Sequence, residues 1–168
     1  MRKTVLWLFV VILTALVQSA WLGAIRLGGV VPNLPLLLVV YFAVRDGEER
    51  AMFTGLIGGV FQDVAADATL GHHVLCNVVV GYLAARVSHR LVTEHPAVKA
   101  GLVLMAGFCN GLLDTLILYI QNPGLSATHE MLYVEIPSTM YSTLVTPVVF
   151  FFLTLAFGRR AVHAGGLA

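Results

Sequence analysis

A chain of 168 residues that is 58% hydrophobic and 11% charged lies far below the roughly 25% charged residues of soluble domains. Nearly all of its length is needed for membrane spans, which leaves no room for a folded soluble domain with its own aqueous chemistry. The net charge of +1 carries no signal for nucleic acid, and the basic residues are dispersed in loops at the membrane edge, so no nucleic-acid partner is expected.

Six spans read out in chain order. Arg2 and Lys3 precede an apolar run over residues 4–25. It is longer than the usual signal-peptide core of about 7–15 residues, and no small-x-small cleavage site follows, so it reads as an uncleaved first span. The second covers residues 30–44 and is opened by Pro32, Asn33 and Pro35. Asn33 is placed to cap a helix, and the prolines fall at or before the first turn, where no internal donor is lost. This start reads as a helix entry at the outer interface, with a partner contact as the alternative. The third span covers 51–70, the fourth 72–88, the fifth 100–121 and the sixth 138–157. The second and fourth are short against the 17–25 residues, about, that a crossing takes.

Charge orients these spans. With the N-terminus inside, the cytoplasmic side receives Arg2, Lys3, Arg45, Arg50, Arg86, Arg90, Lys99, Arg159 and Arg160, and the outer side only Arg26. That is the basic-inside asymmetry of membrane proteins, and deleting the fourth span would destroy it. The expectation is one all-helical membrane domain over residues 1–160, both termini cytoplasmic, with a short disordered tail over 161–168. The largest outer segment, 122–137, is bounded by Pro123 and Pro137. Its Met131, Leu132, Tyr133 and Ile136 form a candidate interfacial element.

The third span carries the main polar signal, Gln62, Asp63 and Asp67 in an otherwise apolar, glycine-rich stretch. An intramembrane carboxylate costs at least about 2.5–3.5 kcal/mol, so it faces a bundle interior or a polar cavity. Asp63 and Asp67 stack on one helical face. In the fifth span Asn110 sits one turn before Asp114. Counted from the cytoplasmic ends of their spans, Asp63 is about 12 residues in and Asp114 about 14, a similar depth at 1.5 Å per residue. The two acids therefore face each other across the bundle, with Asn77 from the fourth span nearby. Three roles stay open: hydrogen bonding that glues helices, a ligand or ion site, and partner recognition. No basic residue is placed at that depth by the spans, so at least one acid is expected to be protonated.

Gly55 and Gly59, and likewise Gly107 and Gly111, have the spacing that lets helices approach closely. Packing of the third span on the fifth is one reading, and docking of a partner helix is the other. Cys76 and Cys109 lie in apolar runs and read as small buried hydrophobes, without disulfide or metal spacing. His72 and His73 follow Gly71 at an outer turn and read as interface histidines, since adjacent residues on a helix diverge. No nucleophile–base pair, phosphate loop or metalloprotease spacing is present, so neither enzymatic activity nor a cofactor is expected.

The order of these elements resembles the rod shape-determining MreD family of bacteria. The resemblance rests on Gln18 late in the first span, Pro32-Asn33 and Tyr41 in the second, and Gly55, Gly59 and Asp63 in the third. Leu70-Gly71, Gly81-Tyr82-Leu83, Asp114 and Pro147 complete it. Asp67 departs from the small or polar residue usual four positions after the Asp. The resemblance implies a non-enzymatic inner-membrane scaffold of the cell-elongation machinery, which organises lateral peptidoglycan synthesis. It also implies binding of the single-span protein MreC, and through it the MreB filament and the RodA–transpeptidase pair. The fold is further similar to the six-helix substrate-binding subunits of energy-coupling-factor vitamin transporters. That similarity carries the alternative, a small-molecule or ion binding subunit with Asp63, Asp67, Asn77 and Asp114 lining an outward pocket.

Overall fold

Local chemistry starts and stops most of the helices in this computed structural model, which describes residues 2–20, 31–65, 70–91, 95–122, 124 and 127–158. Asp67, Arg26, Pro123 and the 161–168 tail lie outside these residues. Among the described residues the protein is helical throughout: α1 Arg2–Ala20, α2 Leu34–Asp46, α3 Glu48–Ala65, α4 His72–Ser88, α5 Pro96–Gln121 and α6 Ala127–Glu130. A π-helical stretch, Met131–Glu135, then runs directly into α7, Ile136–Phe157.

The Asn33 side chain accepts from the Leu36 N–H at 3.1 Å and so caps α2. Glu48 and Glu49 occupy the first turn of α3, where negative charge suits the positive end of the helix. α5 begins at Pro96, ahead of the expected residue 100, because His95 accepts from the Ala97 N–H and Pro96 is pre-set for a first turn. The last apolar segment also starts early. Residues Met131–Phe157 form one run of 27, so the expected interfacial element at 131–136 is the first turns of the final helix.

α2 occupies the centre. It is apolar all round, every residue from Pro35 to Ala43 is buried, and α1, α3, α4, α5 and α7 all pack on it. Its 13 residues rise only about 20 Å, less than the roughly 30 Å of a hydrocarbon core. At its far end Tyr41 and Phe42 meet Phe150 and Phe157 edge-to-face, each pair with centroids 5.3 Å apart. Arg45 donates from Nη2 to the Phe157 carbonyl at 2.8 Å and lies 5.1 Å above that residue's ring, which ties the end of α7 to α2.

α3 and α4 form the tightest pair. A Cβ on Gly55 would lie 2.7 Å from the Asn77 carbonyl, and one on Gly59 would lie 2.5 Å from Val74 Cα. Both glycines therefore face the backbone of α4, not α5, and leave no room there for a partner helix. Gly107 and Gly111 do the same for α5, against Thr139 of α7 and Glu135 of the π-helical stretch. Gly81 brings α4 onto Val39 and Ala51.

Among the described residues two stretches are long and apolar enough to cross a membrane, Ala97–Gln121 and Met131–Phe157, and Thr4–Gln18 is a shorter apolar helix. The outer faces of α5 and α7 expose large apolar side chains, among them Leu116, Leu144, Phe151, Phe152 and Leu155.

Candidate functional site: a polar belt at one end of the bundle

The C-terminal ends of α1 and α3, the starts of α2, α4 and α7, and the Asn110–Asp114 turn of α5 contribute polar side chains to one end of the bundle. The belt begins where α3 ends. Gly71, at φ +103°, opens α4 and has no side chain with which to cap it. Asp63 supplies the missing acceptor from the preceding helix. Its Oδ2 accepts from the Gly71 N–H at 2.7 Å and its Oδ1 from the His73 N–H at 2.8 Å. The carboxyl group thus sits at the N-terminal end of α4, where free backbone N–H groups suit an oxygen acceptor.

The same Oδ1 lies 2.8 Å from His73 Nδ1, and the Asp63 side chain has no exposed surface. The far ring nitrogen of His73 reaches to 3.9 Å from Asp114 Oδ1. Asp114 in turn meets His72 Nε2 at 2.5 Å. The two imidazoles lie side by side, centroids 5.0 Å apart. His73 therefore lies between Asp63 and Asp114, and each acid has a histidine of its own in hydrogen-bond contact. His72 is buried and His73 half-buried, and each meets an acid for which the span assignment offered no basic partner. The sequence hinted at this only through the closeness of His72-His73 to Asp63 across the turn at Gly71, and nothing in it pairs His72 with Asp114.

A second chain of hydrogen bonds runs beside the first. Asn77 Nδ2 donates to Gln62 Oε1 at 2.6 Å, and Gln62 Nε2 donates to Asn33 Oδ1 at 3.3 Å. The Asn33 N–H donates to Ser142 Oγ of α7 at 2.8 Å. Gln18 of α1 closes the belt: its Nε2 donates to the Pro32 carbonyl at 3.0 Å and its Oε1 accepts from the Leu34 N–H at 3.2 Å. Asn77 thus faces Gln62, while Asn110 stands apart, buried on α5. The side-chain oxygens of Asn77 and Asn110 are buried without a hydrogen-bond partner among the described residues.

Of the remaining motif residues, Pro32 is buried beneath Gln18, Leu70 is exposed at the turn, Tyr82 is at the surface of α4, and Pro147 is exposed inside α7. Chemically, the belt can bind helices to one another and hold protons or a cation.

A family model described as rod shape-determining protein MreD matches residues 1–159. No curated protein and no solved structure gives a significant match.

Proposed function

The chain belongs to the MreD family, membrane proteins with a role in rod shape determination, and we propose that it acts there as a non-enzymatic scaffold. It crosses the bacterial inner membrane six times with both termini in the cytoplasm. It binds an MreC-like single-span protein, and through that partner serves the MreB filament and the RodA–transpeptidase pair in lateral peptidoglycan synthesis. One observation carries this reading. Asp63 of the belt is spent inside the protein, its two carboxylate oxygens on three hydrogen bonds at the start of α4, so the belt fixes helix positions. The outward pocket of the alternative reading needs those same groups free, which is why we rank it second.

The glycine faces are filled within the chain, so the partner surface falls to the outer segment over 122–137. There Leu132, Tyr133 and Val134 are exposed on the π-helical stretch. The test is co-purification of the tagged chain with a co-expressed MreC-like protein in mild detergent. The wild type should retain the partner, and Leu132→Ala/Tyr133→Ala should lose most of it while remaining monodisperse. Failure of the wild type to retain any partner overturns the scaffold reading. Full retention by the double variant overturns only the assignment of the surface.

A further inference from the structure

We propose that His72, Cys76 and Asp114 form a binding site for a divalent transition-metal ion of the zinc class, a site independent of the scaffold role. His72 and Cys76 are one helical turn apart on one face of α4, and Asp114 faces them from α5. One ligand atom from each, an imidazole nitrogen, a thiol sulfur and a carboxylate oxygen, all lie within 4.8 Å of one another, and all three residues are buried. Bond lengths of about 2.0–2.3 Å to nitrogen, oxygen and sulfur place tetrahedral ligand atoms about 3.3–3.6 Å apart. The cluster therefore closes on an ion through small side-chain shifts, the 2.5 Å His72–Asp114 contact opening as the ion enters.

A second observation points the same way. The Asn110 side-chain oxygen is buried and without a partner among the described residues, and it lies one turn from Asp114 on the same face of α5. It offers either a fourth oxygen donor or an acceptor for an ion-bound water. Three protein ligands and an open fourth position is a familiar zinc geometry.

Charge favours the site. The Cys76 proton passes to solvent on binding, and His72 binds as the neutral imidazole. The loaded site then holds a dication, a thiolate and a carboxylate, with no net charge to bury. The positive end of α4 would repel a cation, but Asp63 already offsets it. His73, held by Asp63 and 3.9 Å from Asp114, is placed to orient the carboxylate ligand.

The experiment titrates the full-length chain in detergent, stripped by chelator, with Co²⁺ alone and then with Zn²⁺ in competition. We expect one equivalent of Co²⁺ to give tetrahedral d–d bands and a thiolate-to-cobalt charge-transfer band, both erased by Zn²⁺. Cys109→Ala should keep both bands, Cys76→Ser should lose the charge-transfer band, and His73→Gln should weaken binding roughly 10- to 100-fold. In the Cys109→Ala chain, bound Zn²⁺ should also slow alkylation of Cys76, a reading that needs no Cys76 variant to fold. Absence of the charge-transfer band in the wild type overturns the site. So does its survival in Cys76→Ser, or an alkylation rate unchanged by Zn²⁺.

Discussion

Asp63 has a larger structural role than its single charge implies, because it stands in for the cap that Gly71 cannot provide. Removing its carboxylate strands the N–H group of Gly71 and both the N–H and a ring nitrogen of the half-buried His73, and leaves a gap where the fully buried Asp63 side chain sat. An unmet buried polar group costs about 1–3 kcal/mol. Asp63→Ala should therefore destabilise the protein by on the order of 2–4 kcal/mol. Asp63→Asn should also destabilise it, since its amide NH₂ turns a donor toward other donors. Thermal unfolding in detergent micelles reads both, and melting temperatures equal to wild type would overturn the capping role. That Asp63 and Asp114 lie at a common level of the bundle was legible from helix rise alone. Their histidine partners were not, because the sequence does not say that α5 brings Asp114 against the first turn of α4.

At the level of elements, close approach separates the glycines. A methyl group at Gly59 meets the backbone of Val74, which cannot swing aside, whereas one at Gly101 of α5 meets nothing within 4 Å. Gly59→Ala should thus lose about 1–3 kcal/mol through overpacking. Gly101→Ala should be neutral, or gain up to about 1 kcal/mol from better helix propensity. Unfolding midpoints of the two variants, measured side by side, should move in different directions or by clearly different amounts. Equal effects would mean that α3 and α4 are not in backbone contact at Gly59. The small-residue spacing was visible in the sequence, but it marks only that some helix comes close. That α3 takes α4, and α5 takes α7, is settled by helix rotation and by the short turn at Gly71. α2 was legible as apolar and short. Its place at the centre follows from the five helices packed round it.

The whole molecule combines an apolar exterior on α5 and α7 with polar groups gathered at one end of its interior. The basic-inside pattern predicts that this end faces outward. In a Cys109→Ala chain, a membrane-impermeant maleimide applied to intact spheroplasts should label Gly124→Cys and leave Glu49→Cys unlabelled until the cells are lysed. The parent chain, with Cys76 buried, serves as the blank. Labelling of Glu49→Cys before lysis would reverse the orientation. By itself, the sequence determined the helical class, the apolar composition, the family and the common level of the two acids in the bundle. Each follows from composition, 3.6-residue periodicity, motif order or rise per residue, all of which are properties of the chain taken locally. Only the tertiary structure decided which polar group meets which. That depends on the rotation and register of near-rigid helices, fixed by contacts such as Gly59 on Val74 and Asp63 on Gly71, between residues that no local pattern pairs.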